Sequence, residues 1–195
     1  MIRTIRIGLA TLVVAVVVIG VVVALQPADF RVERSITISA PAAVVFARVN
    51  DLHRWQEFSP WAKLDPAATN TFEGPPAGVG AVFAWAGNDD IGEGRMTISE
   101  SRPDELVRMR LDFLRPFAAT NTTDFSFKPQ GEQTLVTWSM TGKNNFMAKA
   151  AGLVMNMDKL VGGDFEKGLT DLKSLSEAGE SSLTPDPSHP TPAAE

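Results

Sequence analysis

Between Val32 and Thr141 the chain alternates apolar and polar residues with a period of two, and this rhythm restricts the fold more than any other feature. Val32, Ile36 and Ile38 alternate with Glu33, Ser35 and Thr37. Phe83 and Trp85 share a face, and Met96 and Ile98 alternate with Arg95, Thr97 and Ser99. Val107, Met109, Leu111 and Phe113 are separated by Arg108, Arg110 and Asp112. Phe125 and Phe127 alternate with Asp124, Ser126 and Lys128, as Val136, Trp138 and Met140 do with Thr137, Ser139 and Thr141. Successive side chains on a strand point to opposite faces. Each run therefore predicts a strand with one covered and one wet face, the pattern of an antiparallel sheet. Gly87-Asn88-Asp89, Arg102-Pro103-Asp104 and Pro129-Gln130-Gly131 carry turn chemistry between the runs.

Two stretches break the rhythm. After Ser39-Ala40-Pro41, the residues Val44, Val45, Phe46 and Val49 fall at helical spacing. Ser39 or Ala40 is the expected cap, with Pro41 as the first helical residue. From 145 to 176 the apolar positions are Phe146, Ala150, Leu153, Val154, Met157, Leu160, Val161, Phe165, Leu169, Leu172 and Leu175. They predict one long amphipathic helix capped by Asn144 or Asn145. Gly152, Gly162 and Gly163 lie inside it, each costing roughly 1 kcal/mol relative to Ala, so they mark a kink or a close approach to another surface. The expected order is a strand, one or two short helices, about six strands and a long helix, an α+β domain.

The ends of the chain differ from this middle. Ile7–Leu25 is 19 residues without a charge. As a helix it spans roughly 28 Å, close to the ~30 Å hydrocarbon core of a bilayer. An uncleaved transmembrane anchor is the first reading. A secretory signal cleaved near the small residues Val22 and Ala24, leaving a secreted or periplasmic protein, is the second. Arg3 and Arg6 before the run balance Arg31 and Arg34 after it, and the α-amino group tips the N-terminus toward the cytoplasm with the domain outside. Residues 179–195 carry Pro185, Pro187, Pro190 and Pro192 among Ser, Thr, Ala and Glu, too little apolar surface to offset ordering. The expected division is a membrane anchor and linker over 1–29, a globular domain over 30–178, and a disordered tail over 179–195.

Composition removes several functions. A formal net charge of −5 and a pI near 5.1 argue against nucleic acid as a partner. The absence of cysteine excludes disulfides, thiolate nucleophiles and Cys-ligated metals. The two histidines, His53 and His189, are too few for a His-rich metal site. Gly87-Asn88-Asp89-Asp90 lacks the remaining ligands of a calcium loop. Gly78-Val79-Gly80 is too short for a phosphate motif. No metal and no cofactor is implied, and the oligomeric state is not legible.

Several local motifs point to a known family. Arg34-Ser35-Ile36-Thr37-Ile38-Ser39-Ala40-Pro41 leads into Ala42-Ala43-Val44-Val45-Phe46. Asn50-Asp51-Leu52-His53-Arg54-Trp55 is followed by Ser59-Pro60-Trp61. Gly78-Val79-Gly80, Gly92-Glu93-Gly94 and Asp164-Phe165-Glu166-Lys167-Gly168-Leu169 complete the set. With the order of elements, these resemble the SRPBCC (START/Bet v 1-like, polyketide cyclase/dehydrase-like) superfamily, and within it a membrane-anchored bacterial subgroup. The resemblance covers about residues 31–176. It implies a helix-grip fold, a curved antiparallel sheet around a long C-terminal helix. It also implies a hydrophobic cavity between the two, used by relatives for lipids, sterols, polyketides or plant hormones. It transfers no catalytic set.

On that resemblance, Phe83, Trp85, Met96, Met109, Leu111, Phe125, Phe127, Trp138 and Met140 are the expected cavity residues of the sheet. Met147, Leu153, Val154, Met157 and Leu160 are those of the helix. Methionine and aromatic side chains suit an adaptable apolar pocket, although the same residues also suit a filled core. Trp55, Phe58 and Trp61 form a cavity mouth, a membrane-facing aromatic patch, or a plug at the end of the sheet. The first functional reading is membrane-tethered binding of a small hydrophobic or amphipathic ligand, lipid or polyketide-like, without catalysis. An enzyme (cyclase, dehydratase or hydrolase) using His53 or a pocket carboxylate is the second, and a partner-docking domain the third. Of the acidic candidates Glu93, Asp112, Asp124 and Asp164, Asp112 and Asp124 fall on the wet face of their strands.

Overall fold

A computed structural model describes residues 2–153 and 156–181, with side chains described except at 2–10, 157 and 179–181. The alternating runs form a seven-stranded sheet: β1 (Asp29–Ile38), β2 (Thr69–Glu73), β3 (Val82–Ala86), β4 (Glu93–Arg102), β5 (Leu106–Arg115), β6 (Ala119–Gln130) and β7 (Gln133–Lys143). Their order is β1-β7-β6-β5-β4-β3-β2, and every neighbouring pair is antiparallel. Six strands therefore form a simple meander, and β1 returns to close on β7. Register shifts between Glu93 and Gly94 and between Ile98 and Glu100 break the β4–β5 ladder, as bulges that bend a strand do.

The register separates two faces. Phe83, Met96, Leu111 and Asn121 stand in one transverse row, and Ile98, Met109, Thr123, Met140 and Val32 in the next. These residues line the inner, concave side. On the outer side Arg108 donates to both oxygens of Asp124 at 2.9 Å and to Glu100 at 2.8 Å, and Arg110 pairs with Asp112. Burial pulls the Asp112 carboxyl upward, but hydrogen bonds from Arg110 and Thr120 and the charges of Arg110 and Arg95 outweigh it and leave it below its ordinary value. Asp112 and Asp124 are on the wet face, as their phase requires.

The apolar run at the N-terminus forms α1 (Ile2–Leu25). Among the described residues no helix is long and apolar enough to cross a membrane. The second helix, α2 (Ala42–Asn50), begins one residue later than expected. Pro41 is itself the cap, its carbonyl accepting from Val44 and Val45, so neither Ser39 nor Ala40 takes that role. A 3₁₀ turn (Leu52–Arg54) leads into α3 (Trp55–Phe58).

The long helix of the sequence reading divides in two. Asn145 caps α4 (Phe146–Gly152), accepting from the Ala148 N–H at 2.9 Å. A separate α5 (Met157–Ser181) follows. The helix breaks beside Gly152, one of the three suspect glycines. Gly162 serves the other purpose: a Cβ there would collide with the Arg34 guanidinium, which crosses α5 and pairs with Glu166 and Asp158. Gly163 meets no neighbour. The helix also passes the expected boundary at 178, and the tail reading falls outside the described residues from 182 onward.

A second clasp ties the far end of α5 to β1. Lys173 Nζ donates to the Thr37 carbonyl at 2.9 Å and to Glu177 at 2.6 Å, while the Ser39 N–H donates to Glu177 at 2.7 Å. The hydrogen bonds from Lys173 and Ser39 hold the Glu177 carboxyl below its ordinary value. The anion therefore stabilises the folded state above the unfolded pKa, and this is lost as pH falls through the folded one. Glu177→Gln should lower stability by about 0.5 kcal/mol at neutral pH, with the difference from wild type vanishing in acid. Urea unfolding at several pH values measures it; an equal deficit at acid pH would refute the clasp.

Candidate functional site

Trp138 sits at the centre of the concave face, 1% exposed. Its ring stacks on Phe165 of α5 at 4.1 Å and 7°, and on Phe125 at 4.7 Å and 29°. Trp55 and Trp61 meet it edge-on at 5.6 and 6.0 Å. The stacking depends on Gly168, one turn along α5, where a Cβ would lie 2.7 Å from the indole and 3.2 Å from the Phe58 carbonyl. Helix and sheet touch firmly here. Beside this contact they diverge, leaving a part-open cavity of about 250 Å³.

Eight expected residues line that cavity: Trp55, Trp61, Phe83, Trp85, Met96, Leu111, Trp138 and Met140. Met109, Phe125 and Phe127 do not. They are buried in the packed core, with Phe127 edge-on to Phe46 of α2, because α2 and α3 fill that end of the sheet. The helix residues miss as well. Met147 is 66% exposed, and Leu153 and Leu160 are exposed too. The physical reason is the break after Gly152: α4 leaves the sheet and lies against α1, where Lys149 Nζ reaches the Ala24 carbonyl. Val154 and the Met157 side chain lie outside the described residues. From α5 the wall comes instead from Val161, Asp164 and Phe165.

The segment containing Trp55, Phe58 and Trp61 is wall and plug at once. Trp55 and Trp61 line the cavity, while Phe58 is buried beneath them. It is not a membrane-facing patch, since Trp55 and Phe58 are buried and Trp61 is half-covered. His53 does not line the cavity. It stacks on Phe72 at 4.3 Å and bonds to Asp51. Glu93 is outside too, 3.8 Å from Arg115. Asp164 is the acidic candidate that does reach the cavity, at a rim shared with Asp65 and Asp90, while bonding Lys167 at 2.9 Å. The β3–β4 turn closes the same rim: Asp65 accepts from the Asn88 N–H at 2.7 Å, and the Trp85 indole donates to the Ile91 carbonyl at 3.0 Å. Among the described residues no cluster of His, Asp or Glu could hold a metal ion.

Sequence reasoning missed Thr123, Ile91 and Phe113, Gln56 of α3, Asn70 of β2, and the loop residues Ser59, Ala62 and Ala68. The loops have no period to read. Thr123 left a signal, being in phase with Phe125 and Phe127 on the covered face of β6.

A family model described as polyketide cyclase / dehydrase and lipid transport matches residues 29–177, the whole sheet and nearly all of α5. The chain belongs to that family. The SRPBCC resemblance read from the motifs is thereby borne out, together with the helix-grip sheet and C-terminal helix. No curated protein matches the chain. Among solved structures, this polyketide cyclase-like chain is similar to a norcoclaurine synthase point mutant from Thalictrum, with TM-score 0.58 and 11% identity, covering 80% of this chain and 99% of that one. It is similar to the ZhuI aromatase/cyclase from Streptomyces sp. R1128, with TM-score 0.56 and 13% identity over 76% and 94%. It is also similar to the Aha1 dimer from Colwellia psychrerythraea, with TM-score 0.55 and 15% identity over 77% and 98%. At these identities the likeness is one of fold.

Two polar atoms in the cavity wall stand out for this family member. Thr123 Oγ1 and Trp138 Nε1 are buried and have no hydrogen-bond partner. An unpaired buried polar atom costs about 1–3 kcal/mol, and an apolar isostere removes that cost. Thr123→Val should therefore leave the unliganded protein as stable as wild type or about 1 kcal/mol more stable. Thermal and urea unfolding measure it, and a loss above about 1 kcal/mol would mean that the hydroxyl is satisfied.

Proposed function

We propose that this chain holds a small apolar or amphipathic molecule, lipid or polyketide-like, in the cavity between the sheet and α5. The observation that carries the reading is the 250 Å³ hollow walled by Trp55, Trp61, Phe83, Trp85, Met96 and Met140. An engineered apolar cavity of ~150 Å³ already takes a benzene, so this one has room for a fused ring pair or a short acyl chain. Burying such a group gains roughly 25 cal/mol per Å², enough for useful affinity without chemistry. The domain is tethered to a membrane by Ile7–Leu25, with the short N-terminus in the cytoplasm. Support comes from the uncharged run and from the apolar Phe146 and Met147 left open on α4, beside α1.

A second reading, acid–base catalysis on the bound molecule, is favoured by one observation: the carboxylates of Asp65, Asp90 and Asp164 stand at the cavity. Native mass spectrometry of the full chain from lipid nanodiscs, after incubation with a panel of lipids and small aromatic ketones, tests both readings. Wild type should retain a small molecule, and Val161→Trp should lose it while unfolding within about 1 kcal/mol of wild type. Retention of nothing, or equal retention by the variant, would overturn the binding reading. A released molecule of altered mass, unaltered with Asp164→Asn, would establish the second.

A further inference from the structure

The two residues that carry the orphaned polar atoms are neighbours on one face of the sheet. Thr123 pairs with Met140 and Phe125 with Trp138, so Thr123 and Trp138 are diagonal neighbours across β6 and β7, roughly 7–8 Å apart at their backbones. They are 2% and 1% exposed. Both residues line the cavity, and neither Oγ1 nor Nε1 has a protein partner. Trp85, another lining indole, shows the usual arrangement, since it is satisfied by the Ile91 carbonyl. An indole N–H only donates, and a hydroxyl can donate as well. An acceptor oxygen is the group that both atoms can bond.

Charge narrows the choice further. Asp65, Asp90 and Asp164 are at the cavity, and among the described lining residues there is no Lys, Arg or His. A carboxylate or phosphate in the ligand would meet repulsion from three carboxylates, of which Asp164 is paired, with Lys167 at 2.9 Å.

We propose that the ligand is an uncharged molecule with a carbonyl oxygen at its buried end, and that Trp138 and Thr123 select it by donating to that oxygen. The proposal rests on the cavity-binding reading and assigns that cavity a ligand class. The carbonyl is distinguished from a same-shaped alkene by two hydrogen bonds and from a carboxylate by charge.

Three probes separate these features: acetylnaphthalene, its alkene isostere isopropenylnaphthalene, and the anion naphthoate. They are titrated into the full chain in nanodiscs, with empty nanodiscs as the partition control. The ketone should bind about tenfold tighter than the alkene and at least tenfold tighter than the anion. The indole N–H resonance missing from Trp138→Phe should move downfield with the ketone and not with the alkene. Thr123→Val, which preserves shape, should reduce the ketone preference severalfold while leaving alkene affinity unchanged, and Trp138→Phe should do the same if it folds. Equal binding of ketone and alkene by wild type, or a preference for naphthoate, would overturn the proposal and leave the cavity reading standing. Binding of none of the three would overturn both.

Discussion

The stack of Trp138 between Phe125 and Phe165 fixes the geometry of the whole domain. It joins β6, β7 and α5 through three ring systems, two of them nearly parallel at 4.1 Å. Such contacts are worth about 0.5–1.5 kcal/mol each beyond the area they bury. More important is where they place the helix. Gly168 lets the helix backbone come down onto the indole, so α5 is held close at one point and stands away from the sheet on the side of β3, β4 and β5. The hollow is the space left over by that single close approach.

Polar clasps keep the arrangement from sliding. Arg34 is on the concave face, in register with Trp138, yet it is charged. It escapes burial by crossing α5 at Gly162 and pairing with Asp158 and Glu166, which holds its guanidinium more firmly protonated. Lys173 and Glu177 repeat the same logic three turns along the helix against the Thr37 and Ser39 backbone. With aromatic stacking setting the distance and the two clasps setting the register, α5 has one way to lie on β1. The outer face contributes nothing to this choice. Its arginine and carboxylate pairs tie strand to strand and keep that side wet.

What was legible in the sequence follows from how strongly burial patterns a segment. β4 to β7 each have one face in the core, so Met96, Met109, Phe125 and Trp138 announced their strands and their common side. Thr69–Glu73 is an edge strand whose residues all remain exposed, and nothing in Thr-Asn-Thr-Phe-Glu required a strand there. The residues from 145 to 176 kept a helical period across Gly152, which is why one helix was read where two exist. Period cannot reveal a change of direction, only the local repeat. For the same reason the sheet half of the cavity was read well and the helix half poorly. Met147 and Leu160 had the right spacing but belong to surfaces that turn away. The loop residues at the rim depend on long-range contacts that leave no repeat at all.

A fold of this size has little reason to keep such a hollow if packing were its only task. The hollow forgoes packing contacts that larger side chains would make. Two unsatisfied polar groups add to that cost, and Thr to Val would remove one of them without a change of shape. Larger side chains at Val161 or Ala62, which line it, would fill part of the gap from the helix and loop sides. The arrangement instead combines a rigid aromatic floor, a wall with unmet hydrogen-bonding capacity, and an acidic rim. A core optimised for stability alone would not hold these together.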